Sequence, residues 1–314
     1  MSAQVQTAWV SRPVGGIPTT EDLAPSIIFT IAYAFLLPGI IYNFFFCKPR
    51  AWNTIQISTV IFAVERIAWC IIRVVQAAYP ERRGSGRLME YMQATVGLGF
   101  IGISNDAISL LRCLLVNTTL PENGASKDRR AARKSYRYHC YVFELVFLAS
   151  TIPGMIASSA YSSARFDQES ADRNLYYLNV SAGVALALQL VTILACILVA
   201  LIVKEIDRIR CLELAALTVL LLPVPIYRLC VLGIRTIDVF DPLSASARAS
   251  FYTIHLIPEW ICVSVLLGTN VRARFKTGKW GDHEKDETLR DKRLAKATDE
   301  DNLPLHEVDR SRVA

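Results

Sequence analysis

Arginine and carboxylate side chains within apolar runs are the residues here whose types and spacing could do chemistry. AVERIAWCIIRVVQA holds Glu65, Arg66 and Arg73, and LGFIGISNDAISLL holds Asp106. IYRLCVLGIRTIDVF holds Arg228, Arg235 and Asp238, and YTIHLIPEW holds His255 and Glu259. A charge near the middle of a bilayer costs about 2.5–3.5 kcal/mol on insertion scales, so these nine residues need a shared polar interior. Guanidinium and carboxylate pair bidentately, which suits a dry site. Such a cluster could bind or pass a polar ligand; its bland counterpart is a set of interhelical pairs that fixes packing.

Arg66, Arg73 and Gln76 share the pattern R-x6-R-x2-[QD] with Arg228, Arg235 and Asp238. Seven residues are close to two helical turns, so each Arg pair lies along one helix face. Asp106 precedes Asn117 by the same eleven residues that separate Glu259 from Asn270. The matches suggest parallel three-helix repeats around a middle helix, a 3+1+3 plan in which ligands sit at the repeat interface. Tyr252, His255 and Glu259 fall on one helical face, and Pro258 should loosen the turn before it. For partners, Glu65 or Asp106 would serve Arg66, and Glu259 or Asp238 would serve Arg228 or Arg235. Local pairing favours Glu65 with Arg66, leaving Glu259 for Arg228. Arg73 and Gln76 would face the outer mouth.

These residues must be positioned by long helices. The chain has 314 residues, 53% of them hydrophobic, and a mean hydropathy of +0.33. Apolar runs of spanning length occur at 25–46, 52–78, 89–116, 138–160, 177–203, 211–238 and 249–270. The expected fold is an all-α membrane protein, a seven-transmembrane-helix bundle over residues 25–270. It has a polar segment at 1–24 and a charged, largely disordered tail at 271–314, with a short helix around 285–297. Under the positive-inside rule, N-out and C-in orientation places 17 Lys and Arg inside and 7 outside. No cleavable leader is evident in the first 24 residues. The membrane itself, plasma or internal, is left open.

The net charge of +6 lies in loops and tail. It points to lipid rather than nucleic acid, with anionic lipid expected at the basic segment 127–137 and at the juxtamembrane stretch 272–279. None of the eight cysteines forms a C-x-x-C pair, which argues against zinc and against a disulfide framework. Cys47, Cys140 and Cys211 lie near helix ends, where acylation is possible chemistry. With four histidines, two of them in the tail, and no nucleophile elbow, catalysis is not expected, nor is a cofactor.

The stretches LLPVPIYRLCVLGIRTIDVF, Asp241-Pro242-Leu243 and FYTIHLIPEWICVSVLLG, with VERIAWCIIRVVQA and YMQATVGLGFIGISNDAISLL, resemble an uncharacterised fungal seven-transmembrane family, a domain of unknown function. The resemblance covers most of residues 20–275. It implies Arg66, Arg228 and Glu259 as family-pattern residues; members often carry two adjacent glutamates where this chain has Pro258-Glu259. More distantly the chain is similar to fungal lipid-translocating exporters and to receptor-like seven-helix proteins. Three functions follow as expectations: transport or lipid translocation of a small molecule or lipid through the polar cluster, a receptor-like sensor, or a non-catalytic organising protein. Against a receptor stand the missing outer-loop cysteines and the absence of D-R-Y and N-P-x-x-Y motifs.

Overall fold

The computed structural model describes residues 8–47, 51–120, 128–285 and 287–289. It is all-α, 77% helical. Among the described residues, six helical stretches are long and apolar enough to cross a membrane: Thr20–Phe46, Gly86–Asn117, Arg130–Ser159, Gln168–Ile202, Arg208–Leu232 and Ala245–Gly268. The first comprises α1 (Leu23–Ala34), α2 (Leu36–Ile41) and a π-helical end at Tyr42–Phe46. α3 (Ile57–Ala78) follows, then α4 (Gly86–Asn117), α5 (Arg130–Ser159) and α6 (Gln168–Ile202). α7 (Arg208–Leu221) and α8 (Pro223–Leu232) form one stretch broken before Pro223. α9 (Ala245–Ser250), a π-helical segment (Phe251–Leu256) and α10 (Ile257–Gly268) form the last, followed by the short α11 (Val271–Arg274).

α3 is 22 residues long, but Glu65, Arg66 and Arg73 set it apart from the apolar six. Its charged face turns inward: Arg66, Arg73 and Gln76 are buried, while Ile61 and Val64 are exposed. α4 is the central helix, packed against α3, α5, α7 and α10, with 83% of its most apolar stretch buried against 17% for the first helix. Bare apolar faces lie at the periphery. Leu145, Leu148, Ile152 and Met155 on α5, and Leu190, Leu194, Leu198 and Leu201 on α6, are exposed at helical spacing. Such bands are far larger than a water-facing surface carries, and they fit hydrocarbon.

The helical run beginning at residue 211 stops short of 238. α8 ends at Leu232, and Arg235–Thr236 forms strand β2, paired antiparallel with strand β1 (Val10–Ser11). Gly233 closes the helix, and Arg12 N–H donates to the Ile234 carbonyl at 2.8 Å. The N-terminal polar segment is thereby folded over one end of the bundle. Val14 N–H donates to Gln93 Oε1 at 2.9 Å, and Tyr161 OH donates to the Ser11 carbonyl at 2.6 Å. Gly15 and Gly16 have φ of +77° and +60° and press against Phe251 and Leu243. A side chain at either position would be both strained and in collision.

The other end is closed by residues counted as disordered tail from composition. Residues 271–289, as far as described, form α11, a loop with a Gly278–Gly281 bridge, and helical turns at 284–285 and 287–289, where the start of a short helix was expected. Arg137 binds Asp282 at 2.9 Å and Glu287 at 3.2 Å; Arg112 binds Glu144 at 2.8 Å. Arg133 binds Asp128 at 2.8 Å and Glu287 at 3.1 Å. In the described part of this stretch, acidic side chains meet arginines on α4 and α5 rather than water. The basic segment expected to meet anionic lipid divides: Arg133 and Arg137 are buried against Asp128, Glu287 and Asp282, while Arg129, Arg130 and Lys134 stay exposed. Lys127, with Lys48, Arg50 and the tail from 290 to 314, lies outside the described residues. Cys140 and Cys211 are buried, unlike the partly exposed Cys47.

A buried arginine–glutamate centre

α3 and α10 approach each other beside α4, and this brings Arg66 onto Glu259. Arg66 Nε donates to Glu259 Oε2 and Nη2 to Oε1, both at 3.1 Å, a bidentate fork with both residues at 0% exposure. Arg66 Nη1 reaches Glu65 Oε2 and the Thr95 carbonyl, each at 3.4 Å. Glu65 is 21% exposed and takes a hydrogen bond from Tyr91 OH at 3.2 Å. The Arg66 guanidinium also lies 4.5 Å from the Phe62 ring centroid.

Arg228 enters from α8 and is likewise buried. Its Nη1 donates to the Gly97 carbonyl at 2.5 Å, but among the described residues its Nε has no partner and no carboxylate lies within ion-pair distance. His255 completes the group from the π-helical segment. It stacks on Phe251 at 5.6 Å, and its Nε2 lies 3.6 Å from Glu259 Oε1, while neither ring nitrogen makes a hydrogen bond among the described residues. Pro258 has no N–H to give to the carbonyl of Ile254. The wide π turn at Phe251–Leu256 is the local result, and it lowers His255 into the bundle.

The sequence reasoning passed over Gly97 and Gly99. A Cβ on Gly97 would meet Arg228 Nη2 at 2.8 Å. A Cβ on Gly99 would meet the Phe62 ring at 2.2 Å and Arg66 Nη2 at 2.9 Å. The signal was present as G-x-G in a spanning run opposite arginine-bearing helices. Gly99→Ala is expected to destabilise the protein by about 1–3 kcal/mol. Gly102→Ala, whose Cβ would sit 3.5 Å from Ser58 Cβ, should be tolerated. Thermal midpoints of the two purified variants in detergent check this; equal midpoints would remove the packing role given to Gly99.

Several expected partnerships change. Glu259 serves Arg66 directly instead of Arg228, because α3 lies closer than α8 to the carboxylate face of α10. Glu65 is only a secondary contact of Arg66. Asp106 faces away from the arginines and accepts from Ser58 Oγ, from Thr59 N–H at 3.1 Å and from Thr59 Oγ1 at 2.5 Å. Arg73 does not face an open mouth. It is fully buried, bound to Asp22 at 3.0 Å, with further bonds to the Gly15 and Gly16 carbonyls and Tyr252 OH. Arg235 and Asp238 are outside any helix. Arg235 pairs on the surface with Asp172 at 2.6 Å, and Asp238 accepts from Phe240 N–H at 2.8 Å in a turn. Arg73 and Arg235 therefore occupy unlike environments, and the second half of the R-x6-R-x2-[QD] match does not carry into three dimensions.

Among the described residues, no group of three or more His, Cys, Asp or Glu side chains is placed to hold a metal ion. The helices and their bare apolar faces define the class, an all-α, multi-pass integral membrane protein. No protein-family model, curated protein or solved structure matches the chain.

Proposed function

We propose that the protein transports or translocates a ligand with an anionic group, a solute or a lipid headgroup, through a seven-helix bundle with α3 as the seventh span. The observation that carries the reading is Arg228. It is a guanidinium at 2% exposure with no ion pair among the described residues and an unbonded Nε, beside a neutralised Arg66–Glu259 pair. Buried ionisable residues in spanning helices are costly and mark ligand or ion pathways. An incoming anion would supply the charge that Arg228 lacks, and His255 offers two unused ring nitrogens next to it.

Orientation N-out and C-in puts the residue 8–22 strap outside and the ion-paired loop 276–289 inside. The centre is shut at both ends in this arrangement, so transport needs the strap to lift. The proposal retains the resemblance to the fungal seven-transmembrane family, whose implied residues Arg66, Arg228 and Glu259 lie together here. It describes a non-enzymatic protein without a cofactor. It leaves aside the 3+1+3 duplication, because Arg235 and Asp238 lack the helical setting of Arg73 and Gln76.

The test is a dithionite assay on proteoliposomes carrying fluorescent phosphatidylserine, run beside uptake of radiolabelled organic anions. Wild type should raise one of the two rates, and Arg228→Gln should cut that rate at least tenfold while eluting as a folded species. Equal rates with and without protein in both assays would end the proposal.

A further inference from the structure

We infer that the end of the bundle opposite the strap carries a binding pocket for the headgroup of one anionic glycerophospholipid. A cavity of about 310 Å³ lies there, lined by Phe44, Phe45, Trp52, Arg272 and Lys279. It sits where two spanning stretches terminate, the first at Phe46 and the last at Gly268, and so at the level of a membrane boundary. Its two walls differ in chemistry.

The apolar wall is aromatic. Phe44 is buried and meets the edge of Trp52 at 5.3 Å between centroids, while Phe45 and the neighbouring Phe46 are 62% and 69% exposed toward the hydrocarbon side. The opposite wall is cationic. Neither Arg272 nor Lys279 forms an ion pair among the described residues, although the other arginines at this end are bound to carboxylates. The Lys279 ammonium lies 5.2 Å from the Trp280 ring centroid, which holds it at the rim. The backbone is fixed as well: Thr54 N–H donates to the Lys279 carbonyl at 3.2 Å, and Thr277 N–H to the Arg272 carbonyl at 3.1 Å.

Two free cations facing an aromatic, lipid-side wall match an amphiphile whose phosphate meets Arg272 and Lys279 and whose glycerol end leaves along Phe45. A free phosphate would use the cations and leave the aromatic wall wet. The volume is at the small end of ligand pockets and fits a headgroup rather than a whole lipid. This site is separate from the Arg66–Glu259 centre, and it would exist in a protein that transports nothing.

The experiment is native mass spectrometry of the purified full-length protein in mild detergent, with palmitoyl-oleoyl phosphatidylserine or the matched phosphatidylcholine added. Wild type should retain phosphatidylserine over phosphatidylcholine. Arg272→Gln with Lys279→Gln should lower phosphatidylserine retention by about 30-fold, the sum expected of two interfacial cations. Lys134→Gln, at an exposed position on the same end, should leave retention unchanged. As a second measure, brominated phosphatidylserine should quench tryptophan fluorescence more than brominated phosphatidylcholine, and Trp52→Phe should reduce that difference, Trp280 at the rim supplying the remainder. The inference is overturned if the double variant keeps wild-type retention, if inorganic phosphate at matched concentration displaces the lipid, or if Trp52→Phe leaves the quenching difference intact.

Discussion

Glu259→Ala protein is expected to lose about 3–5 kcal/mol of stability, the usual result of stranding one partner of a buried ion pair. Arg66 would be left at 0% exposure with only the 3.4 Å contacts to Glu65 and Thr95. Arg66→Ala should be similarly damaging, because Glu259 would keep only His255 at 3.6 Å. The double variant Arg66→Met with Glu259→Leu separates structure from function. Apolar replacements for a buried pair are often neutral or stabilising, so this protein should recover most of the lost stability. Glu65 would not be stranded, since it is partly exposed and bonded to Tyr91. On the transport reading the recovered protein should still be inactive. Thermal unfolding in detergent, followed by size-exclusion fluorescence, reads the first half and the proteoliposome assays read the second. A double variant as unstable as either single one would mean the pair is not what the singles disrupt.

Asp22→Ala should release the strap. Arg73 is fully buried and binds Asp22 at 3.0 Å together with the carbonyls of Gly15 and Gly16, so one guanidinium ties the strap to α3. Tyr252 OH also donates to Asp22 at 2.9 Å, joining the same latch to the last spanning stretch. Removing the carboxylate should cost on the order of 3 kcal/mol, which is about a 100-fold larger open population. Val14→Cys gives the readout, because Val14 is 4% exposed in the closed strap. An impermeant maleimide should label Val14→Cys slowly alone and at least tenfold faster with Asp22→Ala. The accessible native cysteines, Cys230 and the partly exposed Cys47, provide the background to subtract. Unchanged labelling would show that the strap is held by its strand pairing and by Gln93 rather than by Arg73.

The helices were legible because apolar runs of spanning length leave few other folds. Their ends were less so. Residues 234–240 read IRTIDVF, apolar enough to extend a helix, and only Gly233 hinted at the stop; pairing with Val10–Ser11, over two hundred residues away, decided it. That Arg66, Arg228 and Glu259 belong together could be suspected from the cost of burying charge. Which carboxylate meets which arginine could not, since local spacing favoured Glu65 and the packing of α3 on α10 chose Glu259. Arg73 was judged by its depth along a helix, which ignored that the N-terminal segment could fold back and bury it. The ion-paired stretch at 276–285 and 287–289 was hidden because balanced charge looks the same in sequence whether it meets water or a set of buried arginines.

The distance in sequence between Arg66 and Glu259, 193 residues, sets a problem for biosynthesis. At about 5–20 residues per second, α10 leaves the ribosome some 10–40 seconds after α3. During that interval the Arg66 guanidinium has only the partly exposed Glu65 of its own helix beside it, a placement the bilayer disfavours. α3 should therefore linger in the insertion machinery, or under an intramembrane chaperone, until the last helix arrives. A chain truncated before Glu259 would be a natural substrate for membrane quality control.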